Sequence, residues 1–468
     1  MASLGSGVPD TDIKTLSWRA NLFAVTADSD GLPAKGSAML IGAVADDITG
    51  ATDLCLMLSR AGLHTVQIIG VPDENHLPKA DAIVIGLKSR SVPAAQAVEM
   101  SLAAGRVLLA GGAEQLLFKY CSTFDSTDAG NIGPVAEALL ALTGSDLTIA
   151  CPSFPAAGRT TYRGHLFVGD LLLSDSPLKD HPLNPMHDAN LVRVLGRQTA
   201  LPVGLVTIDT IAQGERAVRQ AFAEQRAAGK RILIVDTVQD DDLRTIGAAC
   251  SDMPLVTGGS GIAMGLAANF VRAGKVAPRP QQSQMAAPEG RSVVLAGSCS
   301  VATRGQIAAA RVAGLPTMAL DPDAVLSGAQ SASALADWAI GQPQDSIPVI
   351  FSSADPATLD DIQTRLGQHA AGALVERTLA EVARLLHLAG FARYVIAGGE
   401  TSGAVVAALG VCTLDIGPEI APGVPWTRSI SGPDLALALK SGNFGAENFF
   451  VQAWNLLDTQ PSPVATPL

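Results

Sequence analysis

From Met39 to about Ala273, and again from Ser292 onward, short apolar runs alternate with stretches whose apolar residues recur at helical spacing. That alternation leaves few folds open: it predicts a largely parallel sheet with helices packed on its faces. Expected strands are 39–44, 64–70, 82–87, 115–121, 147–152, 203–208, 231–236, 254–257, 292–296, 348–352 and 392–397, with helices over 212–228 and 370–389. Residues 276–290 (VAPRPQQSQMAAPEG) break the pattern with three prolines and three glutamines and read as a linker. At 468 residues the chain exceeds what one hydrophobic core serves. Two α/β domains are therefore expected, 39–275 and 291–458, each a mainly parallel sheet flanked by helices, with the active site in the cleft between them. The polar first 38 residues, ahead of a second methionine, read as a flexible extension or an upstream start. Residues 459–468, with three prolines, read as a loose tail.

A formal charge of −12 argues against a nucleic-acid or anionic-membrane surface, which would need clustered Lys and Arg. No apolar run approaches the roughly 18 residues of a membrane span. Six scattered cysteines without a C-x-x-C pair, and no His at metal-ligand spacing, fit a reduced cytoplasmic setting and leave metal ligands undefined. Small-molecule ligands are expected, and a homo-oligomer stays open.

The most informative stretch is Ala45-Asp46-Asp47-Ile48-Thr49-Gly50-Ala51-Thr52-Asp53. It follows an apolar run and precedes Leu54, Met57, Leu58 and Ala61 at helical spacing, so Asp46 and Asp47 fall at the carboxyl end of a strand, where open α/β sheets bind ligands. Thr49 or Gly50 is expected to cap the helix, with Asp53 in its first turn, where the dipole favours a carboxylate. Adjacent carboxylates repel one another and packing does not call for them, so a functional role is expected.

A second strand end carries Ser122-Thr123-Phe124-Asp125-Ser126-Thr127-Asp128-Ala129-Gly130-Asn131, hydroxyls, carboxylates and an amide suited to a polyhydroxylated ligand. Arg90, after the run ending at Leu87, and Arg159, after Cys151-Pro152, can each grip a carboxylate in bidentate fashion; a solvated surface role is the alternative. Together these loops would accept a small hydroxylated acid. His165 and His181 lie in an irregular stretch, 162–187, and are either proton carriers or, more often for a loop histidine, ordinary hydrogen-bonding residues.

The second half has a different accent. Gly297-Ser298-Cys299-Ser300, Gly398-Gly399-Glu400-Thr401-Ser402-Gly403 and Ser441-Gly442-Asn443-Phe444-Gly445 are Gly/Ser/Thr turns, two of them between an apolar strand and an expected helix. Such turns let backbone N–H groups approach phosphates. No G-x-x-x-x-G-K-[ST] occurs and the protein-kinase motifs are absent. Gly259-Ser260-Gly261-Ile262-Ala263-Met264-Gly265 is a spread-out dinucleotide fingerprint, but no acidic residue follows at about 20 positions, which counts against a dehydrogenase.

Taken in order, 45–53, 122–134, 151–160 (CPSFPAAGRT), 164–170 (GHLFVGD), 398–403 and 440–445 resemble the four-carbon acid sugar kinase family. The Ser-Thr-Phe-Asp-Ser-Thr loop and the GHLFVGD and Asp180-His181-Pro182-Leu183 stretches are similar to its 3-oxo-tetronate kinase branch. The resemblance covers 39 to about 450. It implies an N-terminal sugar-acid domain, a C-terminal ATP-binding domain, and ATP-dependent phosphorylation of the terminal hydroxyl of a C4 sugar acid. Ser298, Gly399 to Ser402 and Gly442 match its nucleotide-binding stretches, extended here to Gly398 and Gly403. Asp46, Asp47, Arg90, Asp125 and Arg159 match its substrate side, and Ser126, Thr127 and Asn131 share that loop. The expected mechanism lays ATP with Mg²⁺ on the C-terminal turns, while one of Asp46, Asp47 and Asp125 takes the hydroxyl proton. A threonate or erythronate kinase, a non-catalytic acid-sugar-binding protein, and a dehydrogenase or isomerase are the alternatives.

Overall fold

The computed structural model describes residues 39–73, 77–180, 184–277, 279, 283–352 and 368–458. The expected extension 1–38, the tail 459–468, His181 and part of the 276–290 stretch lie outside them. In chain order the first-half strands are β1 (Ile41–Ala45), β2 (Thr65–Ile69), β3 (Ala82–Gly86), β4 (Gln115–Lys119), β5 (Thr148–Cys151), β6 (Arg159–Tyr162), β7 (His165–Val168), β8 (Leu171–Leu172), β9 (Val203–Val206), β10 (Ile232–Val235) and β11 (Leu255–Gly258). There follow β12 (Met285–Ala286), β13 (Arg291–Ala296), β14 (Thr317–Leu320), β15 (Val349–Ser352), β16 (Phe391–Ala397), β17 (Thr413–Ala421), β18 (Val424–Ser429), β19 (Ala436–Lys440) and β20 (Leu457–Asp458).

The main sheet among the described residues has the order β14-β15-β13-β16-β19-β18-β17-β2-β3-β1-β4-β11-β5-β10-β9. The expected parallel sheets are both present, and the antiparallel pairs β19/β18, β18/β17 and β17/β2 weld them edge to edge. Each half has a place where the chain reverses its direction of travel along the sheet. From β1 the chain moves toward β2 and from β4 toward β5; from β13 it moves toward β14 and from β16 toward β17. The crevices at β1/β4 and β13/β16 are therefore the positions where such sheets hold ligands. Neighbouring strands turn by about 20–25°, so the six steps from β1 to β16 accumulate on the order of 120–150° and offset most of the net reversal left by the three antiparallel pairs. Carboxyl ends from both halves thus approach one region.

β1 is buried throughout, as expected of a central parallel strand. The helix after it, Ile48–Arg60, buries Leu54, Cys55, Met57 and Leu58. Two local expectations are corrected here. The cap is Asp47, whose extended backbone leaves its carboxylate to accept the Gly50 N–H; Thr49 and Gly50 already lie inside the helix. Asp53 lies beyond the first turn and accepts a hydrogen bond from Ser260 instead of capping. The expected helix 212–228 starts only at Glu215, because Gly214 at φ +90° separates it from a short helix at Ile208–Ile211.

The stretch 162–187, read as irregular, begins in a hairpin: Arg163 and Gly164, both at positive φ, turn β6 into β7. Both turn N–H groups donate to the buried Asp236 carboxylate. His165 is engaged there by Arg163 O and Asn190. Within the stretch expected as linker, Met285–Ala286 pairs with Leu457–Asp458.

Candidate active site

Asp46 and Asp47 leave β1 at the first crevice. Arg90 grips Asp46 in bidentate fashion, Nε to Oδ2 at 2.9 Å and Nη2 to Oδ1 at 2.7 Å, and Nη2 also lies 2.9 Å from Asp47 Oδ1. Its Nη1 is 4.0 Å from Asp125 Oδ2. Burial pushes the Asp46 carboxyl above its ordinary value against the pull of Arg90. Against burial, Asp46 and Asp47 hold the guanidinium well above its own ordinary value. Asp47 is half-buried, and Arg90, Lys119 and the Thr49 and Gly50 hydrogen bonds together outweigh its desolvation and hold it below the usual carboxylate range. It is an ionised carboxylate.

The loop after β4 is strained: Phe124 and Asp125 both have positive φ, at 65° and 31°. The buried Phe124 ring packs edge-on against Tyr120, and Thr123 Oγ1 donates to Asp125 at 2.8 Å, which together hold the turn. Asn131 Nδ2 donates to the Ser89, Arg90 and Val92 carbonyls, locking this loop to the one that carries Arg90. Ser126 Oγ accepts from Gln198 at 3.0 Å, and Ser126 and Thr127 line a cavity of about 450 Å³ with His187 and Arg197. Arg159 stands differently. Its Nη1 donates to Ala157 O, while its buried Nε has no hydrogen-bond partner.

The glycine turns of the second half converge. Ser300 Oγ, Thr303 Oγ1 and Lys440 Nζ all donate to the Gly442 carbonyl, at 2.6, 3.0 and 2.9 Å. A methyl at Gly442 would lie 2.3 Å from Ser298 Oγ, and one at Gly297 would lie 2.1 Å from Thr401 Oγ1, so side chains there would force the turns apart. Gly398, at φ +123°, opens the helix Gly399–Ala408, in which Thr401, Ser402 and Gly403 are buried. Lys440 is fully buried behind these turns, and desolvation pulls its ammonium down to about 7.

The two sets of loops meet. A side-chain carbon at Gly399 would stand 3.5 Å from Thr49 Oγ1 and 3.8 Å from Asp47 Oδ2, and one at Gly403 would stand 3.1 Å from Ile48 and Lys88 carbons. Glu400 pairs with Lys88 at 2.9 Å across the same junction.

Sequence reasoning missed several of these residues. Lys119 and Lys440 are the lone charges of the buried strands QLLFK and ALALK and close each of them, a signal that was available. Ser260 could not be tied to Asp53 from the sequence, since 207 residues separate them. Burial pushes the Asp53 carboxyl up to about 6, although Lys119 and Ser260 pull it down, and its Oδ1 has no partner. The folded chain thus keeps this proton to pH about 6, whereas the unfolded chain releases it near 4, so Asp53 costs stability progressively as pH rises through that window. Asp53→Asn is expected to remove that slope and to raise stability at pH 7.5 by about 1–3 kcal/mol. Urea midpoints of the two proteins between pH 4 and 8 check this, and parallel curves would refute it.

An N-terminal acid-bearing sheet joined to a C-terminal glycine-turn sheet defines a two-domain ligand-binding protein, and comparison with known proteins agrees. Residues 41–266 match the model of a sugar-binding N-terminal domain, and residues 293–450 that of a nucleotide-binding C-terminal domain. A Burkholderia multivorans protein named 3-oxo-tetronate kinase is 54% identical over 430 residues, 91% of this chain and 99% of its own. One of the same name from Pseudomonas fluorescens is 54% identical over 88% of this chain and 96% of its own. Two solved structures are similar: a Salmonella typhimurium protein described as a putative tRNA synthase (TM-score 0.80, 41% identity, 90% of this chain and 100% of its own) and a Haemophilus influenzae protein (TM-score 0.71, 42%, 89% and 99%). The chain belongs to the four-carbon acid sugar kinase family. Among the described residues no helix is long and apolar enough to cross a membrane.

Proposed function

We propose that the protein is an ATP-dependent kinase acting on 3-oxo-tetronate, transferring the γ-phosphoryl group to the terminal 4-hydroxyl. The observation that carries this is the approach of Asp47 to Gly399, which sets an ionised carboxylate against the start of a glycine-opened helix. The glycine turns fit a nucleotide's phosphates: they are cleared of side chains at Gly297, Gly398 and Gly442, and they sit at a strand-order switch point.

In the reaction the sugar O4 forms a bond to the γ-phosphorus, the bond from that phosphorus to the β,γ-bridging oxygen breaks, and ADP leaves with the electron pair. The hydroxyl proton passes to Asp47 Oδ2, the carboxylate oxygen on the side of Gly399. Asp46 is committed to Arg90 and acts by holding that arginine beside Asp47. The Ser122–Asn131 loop meets the sugar oxygens. Arg159, which no carboxylate claims among the described residues, is the arginine left to take the substrate carboxylate. A divalent ion neutralises triphosphate charge in kinases. Among the described residues no group of three or more His, Cys, Asp or Glu is gathered to hold one, so Mg²⁺ would enter on the phosphates.

The test is ADP release with ATP and 3-oxo-tetronate, both threonates and both erythronates as acceptors. Selective turnover of 3-oxo-tetronate is expected. Preference for a threonate or erythronate would move the protein to another branch of the family, and no ADP with any acceptor would leave a binding protein.

A further inference from the structure

Asp46, Asp47 and Asp125 surround Arg90 in the first crevice, with Asp53 behind them in the buried helix, yet the reactants that must enter are themselves anions. Arg90 cannot offset them for a ligand, since Asp46 and Asp47 already hold it at 2.7–2.9 Å. The second cation is Lys119, the last residue of β4 and 3% exposed. Asp46, Asp47 and Asp53 all feel its charge. Among the described residues its Nζ makes no hydrogen bond and has no carboxylate oxygen within 4.0 Å, while its carbonyl accepts from the Asp46 N–H. An ammonium at the end of a nearly buried stem, with no acceptor from the protein, marks a place where water or a ligand supplies one.

Its position says what that is. Nζ lies over the first turn of the helix Ile48–Arg60: a methyl at Gly50 would come within 2.8 Å of it and 2.1 Å of Asp47 Oδ1. Gly50 is thus the notch that admits the lysine, beside the carboxylate that faces Gly399. An anion handed from the Gly399 helix toward a hydroxyl at Asp47 arrives next to this ammonium.

We infer that Lys119 is a catalytic residue that binds the oxygens of the phosphoryl group in transfer, and of the phosphate ester once formed, from the sugar-binding side. The inference rests on the kinase reading and assigns the crevice a phosphate site that the glycine turns do not provide. When O4 attacks the γ-phosphorus and the bridging oxygen departs with ADP, the lysine is the cation that stays with the transferred group.

Lys119→Met keeps the stem and removes the charge, so the variant is expected to fold. Calorimetry with erythronate and with 4-phosphoerythronate, on wild-type protein and variant, separates the sources of negative charge. The expected result is a loss of about 10- to 100-fold in affinity for the phosphate ester, with erythronate affinity within about threefold of wild type. In turnover kcat falls while KM for the sugar acid holds. Equal loss for both ligands would put Lys119 on the carboxylate and overturn the inference, as would no loss for either. A wild-type protein that binds neither ligand and releases no ADP with any C4 acid would overturn the kinase reading and this one with it. Thermal midpoints confirm that the variant is folded.

Discussion

Asp47→Asn is expected to lower the turnover of 3-oxo-tetronate by about 10²- to 10⁴-fold, the usual contribution of a positioned general base. The substitution is a narrow one. Asparagine caps a helix about as well as aspartate, so the Gly50 N–H keeps its acceptor and the start of Ile48–Arg60 should hold. Arg90 keeps its bidentate partner in Asp46. The nucleotide turns are untouched, so ATP affinity measured by calorimetry should stay within about threefold. What is lost is an ionised oxygen on the Gly399 side. Because Asp47 is held below the usual carboxylate range, the acid limb of kcat/KM should not reach into the neutral range on its account. Turnover near the wild-type rate would remove Asp47 from the mechanism and leave Asp125, the other carboxylate beside Arg90, as the base.

Most of this architecture was legible because its signals are local. Buried parallel strands write themselves as short apolar runs, and the acidic, hydroxyl-rich and glycine-rich stretches each follow one, so strand ends and ligand loops are read together. The joining of the two sheets was not legible. It depends on β17, which forms a local hairpin with β18 but pairs on its other side with β2, far earlier in the chain, through an edge contact such as Asp415 with Val66 that no local pattern encodes. The site shows the same division. That Asp46, Asp47 and Arg90 matter was readable from residue types at strand ends. That Arg90 would be claimed by Asp46 and leave Lys119 without an acceptor depends on which side chains the sheet order brings together. The misassigned helix cap has a local cause: Asp, Thr and Gly in series all make acceptable caps, and the choice falls to Asp47 because the chain leaves β1 in an extended conformation.

Arg90→Met should be the most destabilising single change in the crevice. An arginine kept for a substrate would cost affinity when removed and spare the fold; Arg90 bonds to Asp46 through two nitrogens, and Asp46 is 6% exposed. Removing one member of such a pair leaves a buried charge without compensation, at a cost of about 3–5 kcal/mol. The loss should shrink on acidification, because the stranded Asp46 carboxyl can escape by taking a proton. Arg90→Lys keeps the charge but not the planar fork and should fall between the two. The double variant Asp46→Asn, Arg90→Met removes both charges and should recover most of the stability, a coupling that independent sites would not show. Urea midpoints of the four proteins at pH 5 and 7.5 read all of this. If Arg90→Met unfolds within about 1 kcal/mol of wild type while its affinity for the sugar acid collapses, the arginine belongs to the substrate after all, and Arg159 loses its place as the carboxylate clamp.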